Sequence, residues 1–281
     1  MVKIGLSGWS DHPLLYQGTK KQQLEDYASY FSVVELDSSF YAIPRQTTVA
    51  QWVKRTLPGF EFIVKANRVM TLHSVNGVEM VDNKEQQQLF AQFIDSFSPL
   101  IEAGKLAFVL LQFPPYFSCN PANIAYLKQI RAWLPVDAAV EFRHRSWYDE
   151  RFQTDLWHFL TEQNYIHTMV DQPQVGERTV PFVKQTTAAK KFMRLHGRNQ
   201  AGWIQAKQTD GDGWRDVRTL YCYNEVELAE LAVQLGTPSA ATYVIFNNNA
   251  GGDAAANGIA LQSRFKSSEQ LLETRQLGLF D

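Results

Sequence analysis

The chain has 281 residues, 45% hydrophobic and 20% charged, with a formal charge of −2 and a pI near 6.3. That length suits a single α/β barrel, a fold of about 250 residues, and the charge excludes a generally basic surface, so nucleic-acid contact would need a local basic cleft. Cys119 and Cys222 are too few for a disulfide framework and lack a zinc spacing; the opening Met1-Val-Lys-Ile-Gly-Leu-Ser-Gly8 turns polar at once and no apolar run reaches membrane-spanning length, so a cytoplasmic protein is expected.

Lys3-Ile-Gly-Leu-Ser-Gly8 reads as a first strand, with Ile4 and Leu6 opposite Gly5 and Ser7 and with Trp9 just past its end. Leu24, Tyr27, Ala28 and Phe31 then fall at helical spacing. Val33-Val-Glu-Leu-Asp37 is a second strand turning Glu35 and Asp37 inward. The loop Ser38 to Pro44 carries Tyr41, and a helix from Gln46 to Thr56 stops at Pro58-Gly59. Phe60 to Ala66 is a third strand placing Lys65 on the face of Ile63. A loop containing His73 leads to an amphipathic helix from Asn83 to Ala103, with Leu89, Phe90, Phe93, Ile94 and Phe97 as its stripe.

Lys105 to Gln112 is almost continuously apolar, as a parallel strand covered on both faces should be. Asn120-Pro121 starts the next helix with a cap and a proline at the first position. In Ala139-Val-Glu-Phe-Arg-His-Arg-Ser-Trp147, Val140 and Phe142 alternate with Glu141 and Arg143, so one face is apolar and the other charged. A helix to Gln163 precedes the sixth strand, Tyr165 to Asp171, which sends His167, Met169 and Asp171 to one face. From Gln172 to Lys190 a loop replaces the helix. Phe192 to Gly197 is the seventh strand, with Arg194 and His196 inward. A polar loop from Arg198 to Arg218 holds Trp203 and Trp214, and a helix follows over Glu225 to Leu235. Tyr243 to Asn247 is the eighth strand, and a helix from Asp253 to Phe265 closes the pattern. Eight strands alternating with helices predict an irregular TIM (β/α)8 barrel over 1–266, with a C-terminal tail over 267–281.

Several stretches together resemble the YecE-like family, also called domain of unknown function 72 (DUF 72). They are Gly8-Trp9-Ser10, Val34 to Tyr41, Trp52 to His73, Leu111-Gln-Phe-Pro-Pro115, Val140 to Trp147, Met193 to Gly197 and Phe246-Asn-Asn248. The resemblance spans Gly5 to Ala260. It implies a TIM barrel and no established activity.

The inward polar set is Ser7, Glu35, Asp37, Lys65, Gln112, Glu141, Arg143, Asp171, Arg194, His196 and Asn247. Barrel interiors are ordinarily filled by branched apolar side chains, so charge gathered near strand C-termini marks a pocket at that end. Glu35, Asp37, Glu141, Asp171 and His196 are the candidate proton-transfer groups. Arg143, Arg194 and Lys65 are suited to hold phosphate or carboxylate oxygens, with Ser7, Gln112, His144 and Asn247 completing the polar lining. Trp9, Tyr41 and Trp147, at strand ends, offer ring faces for stacking. The bland alternative is an ion-pair network that only plugs the barrel.

No HxH or HExxH spacing is present, so no resident metal or cofactor is expected; a magnesium ion held loosely with substrate phosphate is compatible with the carboxylates. Gln276, Leu277, Leu279 and Phe280 resemble the bacterial sliding-clamp-binding peptide, alongside the reading of a tail that simply packs on the barrel or frays. The expectation is a hydrolase acting on a phosphate-bearing or nucleic-acid substrate and recruited to the DNA sliding clamp by its C-terminal tail. The alternatives are a small-molecule hydrolase, isomerase or lyase for a sugar phosphate or carboxylate, and a non-catalytic ligand-binding or adaptor barrel.

Overall fold

The computed structural model describes residues 1–16, 18–73, 82–176, 179–206, 217–236 and 241–265. Eight parallel strands close into a barrel in sequence order. They are β1 (Val2–Ser7), β2 (Val33–Leu36), β3 (Glu61–Lys65), β4 (Leu106–Gln112), β5 (Ala138–Glu141), β6 (Tyr165–Asp171), β7 (Lys190–Leu195) and β8 (Ala241–Phe246). Around them lie α1 (Gln23–Tyr30), α2 (Gln46–Lys54), α3 (Asn83–Glu102), α4 (Pro121–Trp133), α5 (Gln153–Glu162), α6 (Gln200–Gln205), α7 (Glu225–Leu235) and α8 (Ala254–Ser263). Among the described residues no α-helix stands between β6 and β7, as the turn-rich sequence predicts. The short α6 was not legible in the polar loop; Asn199 caps it by accepting from the Gly202 amide at 2.9 Å.

Strand alternation divides the core into two bodies. Ile4, Leu6, Val34, Leu36, Val64, Val140, Phe142, Leu195, Val244 and Phe246 face outward and pack with helix residues such as Phe90, Phe93 and Leu231. Val33, Ile63, Phe108, Leu110, Ala139, Ile166, Phe192, Tyr243 and Ile245 fill the barrel's lower interior. Phe108 meets Phe192 and Tyr243 edge-on, with ring centroids 4.9 and 5.2 Å away, which closes that end with apolar contact. Gly5 is the tight point of the β1–β2 seam: a Cβ there would stand 2.1 Å from the Val33 carbonyl oxygen.

Helix ends follow their local chemistry. Asp82 accepts from the Lys84 and Glu85 amides to start α3, and Asn120 does the same for Asn123 in α4 behind Pro121. Lys105 donates to the Val53 and Thr56 carbonyls, satisfying acceptors where α2 stops and tying that end to the entry of β4. Because all the strands run parallel, the C-terminal ends of β2, β3, β5, β7 and β8, which carry the inward polar side chains, share one rim.

Candidate functional site

Directly above the apolar plug lies a charged layer with no access to water. Arg194, on β7, is 0% exposed, as are Glu35 on β2 and Glu141 on β5. The guanidinium donates from Nε and Nη2 to the two Glu35 oxygens, at 2.8 and 2.6 Å, and from Nη1 to Glu141 at 2.7 Å and to Gln112 at 3.0 Å. Ser7 donates to Glu35 at 3.1 Å. Burial alone lowers the Arg194 pKa, but the two glutamates outweigh it and raise it, so the cation is fixed. Burial is also the largest single influence on Glu141; Arg143, Arg194 and His196 together overcome it and hold the carboxyl well below its ordinary range. Burial raises Glu35, with Arg194 opposing.

A cavity of about 830 Å³ opens above this layer at the C-terminal ends of the strands. Lys65 and Asp37 form one wall, 2.7 Å apart, with the Lys65 ammonium 4.6 Å from the Phe40 ring centroid. Arg143 forms another: Nη2 lies 2.5 Å from Glu141 and 2.9 Å from His196 Nε2, while Nη1 donates to Gln172 at 2.9 Å. The other ring nitrogen of His196 meets the Asn247 amide at 2.8 Å. Burial, reinforced by the Arg143 charge, lowers the His196 pKa to about 3, so the ring is neutral. His73, also lining the cavity, is lowered to about 3 by burial and then by Lys65 and Arg143.

The structure brings Ser7, Trp9, Asp37, Lys65, Gln112, Arg143, His196 and Asn247 to this cavity, with Glu35, Glu141 and Arg194 beneath it. Arg194 therefore touches carboxylates and not the cavity, which corrects its assignment as a ligand-holding cation. Glu35 and Glu141, paired with arginine and sealed from water, support the site from below; the expected proton-transfer role needs a carboxylate that reaches the cavity, and Asp37, with its side chain 38% exposed, does so.

Asp171 belongs elsewhere. On β6 it is Ile166 that joins the barrel interior, and His167 packs outside against Tyr148 and Trp157. Asp171 shares the parity of His167, and it binds Arg198 at 3.0 Å and Tyr223 at 2.6 Å rather than the central layer. Trp147 is 1% exposed, stacked on Phe142 at 4.1 Å, and gives its indole N–H to the Phe117 carbonyl, so it is core. His144 caps a 3-10 turn by accepting from Ser146, and Tyr41 is exposed with its ring edge-on to Phe40; neither lines the cavity.

Several lining residues went unassigned from sequence, Arg218 and Trp203 among them. Arg218 lies over the Trp203 ring, 3.7 Å from its centroid, and both line the cavity. Burial, with the Arg143 charge adding to it, lowers the Arg218 pKa to about 9. Both residues sit in connections after β7, where no period announces a side chain's direction. Among the described residues no three His, Cys, Asp or Glu side chains converge as a metal site. The clamp-like residues Gln276, Leu277, Leu279 and Phe280 lie outside the described residues, and no described helix is long and apolar enough to cross a membrane.

A closed parallel barrel with a polar cavity at the strand C-termini defines a TIM-barrel protein with its candidate site in the usual place for that fold. Within that class, the chain belongs to the DUF72 family, described as "Protein of unknown function DUF72", whose model matches residues 3–277. It is 41% identical to the UPF0759 protein YunF of Bacillus subtilis (strain 168) over the full length of both chains. A crystal structure of a DUF72 family protein from Enterococcus faecalis V583 is similar at a TM-score of 0.85 and 36% identity, covering 95% of this chain and 96% of that one. Another, from Thermotoga maritima MSB8, gives 0.79 and 31%, covering 95% and 100%.

Proposed function

We propose that this barrel is a hydrolase for a small phosphate-bearing ligand, held by Lys65, Arg143 and Arg218, with Asp37 as the base that takes a proton from the attacking water. The carrying observation is that these three cationic side chains line one cavity, from β3, the end of β5 and the connection after β7. The field of Lys65 and Arg143 adds to burial in keeping His73 neutral, and the same field favours an anion. Arginine forks and a lysine point charge are the usual partners of phosphoryl oxygens. In the hydrolytic step, water oxygen bonds to phosphorus, its proton passes to Asp37, and the bond from phosphorus to the leaving oxygen breaks, the leaving oxygen keeping the electron pair and taking a proton from solvent.

Asp37 is the expected base because its side chain is part-exposed beside Lys65, whereas Glu35 and Glu141 are sealed. The volume of about 830 Å³ lies within the range of roughly 300–1,000 Å³ usual for small-ligand pockets. A nucleic-acid substrate would have to present a strand end or an extruded nucleotide, at a cost of a few kcal/mol for unstacking. Recruitment to the sliding clamp through the Gln276 to Phe280 pattern forms the second half of the proposal, on sequence grounds.

The experiment is calorimetric titration with inorganic phosphate, paired with turnover of p-nitrophenyl phosphate and of its diester. Binding of phosphate with turnover lost in Asp37→Asn supports the reading. Phosphate binding without turnover of either ester leaves a ligand-binding barrel; absence of binding removes the phosphate reading altogether.

A further inference from the structure

We infer that the ligand is a phosphorylated sugar, bound with its phosphate toward β3 and β5 and its hydroxyl-bearing body toward β8 and β1; this rests on the phosphate reading above. In the closed ring β8 pairs with β1, whereas β3 and β5 flank β4, four strands from β8 in a ring of eight. The two pairs of strands therefore line opposing sides of the mouth, and their chemistry differs.

On the β3/β5 side stand Lys65 and Arg143, and Arg218, though carried by the connection after β7, brings its guanidinium close enough to Arg143 for the two charges to interact. On the β8/β1 side stand Asn247, Asn249, Ser7, Ser10 and Asp11, with no cation among them. Amides and hydroxyls both donate and accept, and a carboxylate accepts, which is the complement that a row of hydroxyl groups requires. Asn249 is tied by its amide nitrogen to the Ser7 carbonyl at 2.8 Å, which fixes its orientation, and its Oδ1 makes no hydrogen bond among the described residues. Asn247 is likewise anchored, on His196.

Asp11 has a second consequence: its charge stands among lining groups of β8 and β1 that include no cation, whereas Asp37 across the cavity is paired with Lys65, so a ligand with one anionic end has one favoured direction. Trp9, half-buried and held edge-on to Trp52 at 5.5 Å, lines the cavity beside these groups and offers apolar surface to the C–H face of a sugar ring. An aliphatic phosphate lacking hydroxyls would use only the cationic wall. A sugar phosphate uses both.

The test compares ribose 5-phosphate, ethyl phosphate and inorganic phosphate by calorimetry on the full chain. Each well-made hydrogen bond is worth about 1 kcal/mol net, so two or three hydroxyl contacts predict ribose 5-phosphate bound on the order of ten-fold or more tighter than ethyl phosphate. Ser10→Ala, at an exposed position, and Asn249→Ala are expected to bring ribose 5-phosphate toward ethyl phosphate. Equal affinity for the two esters would overturn the sugar assignment and leave the phosphate reading standing. Failure of all three compounds to bind would remove both.

Discussion

Arg194 and Glu35 lie 159 residues apart in sequence and form a two-point ion pair inside the barrel, at 2.6 and 2.8 Å, with neither side chain exposed. The same guanidinium reaches Glu141, so one cation from β7 ties together β2 and β5. Isolated charges cannot stay at such depth, and a balanced set of paired charges can. The barrel thus has a polar floor that Arg143 and His196 meet through Glu141.

Arg194→Ala is expected to destabilise the fold by roughly 3–5 kcal/mol, since it leaves the buried Glu35 without its arginine and takes one of two arginines from Glu141. Chemical denaturation is the measurement. A loss under about 1 kcal/mol would mean that the floor is not what holds these strands together.

Arg143→Ala should behave differently, because Arg143 borders the cavity and Glu141 keeps Arg194. Inorganic phosphate affinity is expected to fall by about ten-fold or more, the equivalent of one charge-assisted hydrogen bond. Circular dichroism should still report the barrel. Phosphate binding equal to that of the unaltered protein would exclude Arg143 from the anion site.

Stability should fall on acidification. Burial is the first cause of the lowered pKa at His12, His73, His167 and His196, to about 3 for His73 and His196 and about 4 for His167. Between the ordinary value of 6.5 and these lowered values, the unfolded chain binds protons that the native state refuses, so the unfolding free energy drops as pH falls through that window. Glu141, lowered by its arginines against burial, acts in the same direction below 4.5, and Glu35, raised by burial, opposes both. Melting temperatures between pH 7 and pH 4 are the check. Affinity for sulfate, a dianion throughout this range, should show no step near pH 6.5, since His73 and His196 are already neutral there.

Leu279→Ala with Phe280→Ala should eliminate binding to the purified sliding clamp while leaving the melting temperature unchanged. A short peptide ordered on binding loses part of its interaction energy to entropy, so the intact tail is expected to bind with modest affinity. Equal binding by both proteins, or a marked drop in melting temperature, would sever the connection to DNA.

The barrel and most of its site were legible in the sequence because a parallel strand alternates its side chains and repeats that alternation wherever a helix follows. Glu35, Lys65, Glu141, Arg143, Arg194 and His196 were found from parity alone. Parity carries no sign, however, and β6 shows the consequence. His167, Met169 and Asp171 do share a face, but Ile166 is the residue that fills the interior, and only packing against Tyr148, Trp157, Arg198 and Tyr223 decides which face is outside. Depth is equally invisible along a chain: Arg143 and Arg194 look alike in sequence, yet Arg194 lies within the floor with three acceptor side chains around it and Arg143 borders the cavity. Arg218 and Trp203 had no period to place them, and the closure of the barrel brought them to its mouth. What a local pattern encodes is direction relative to a strand; how far a charge stands from water, and which charges share one cavity, depend on contacts between residues distant in sequence, which form only when all eight strands meet.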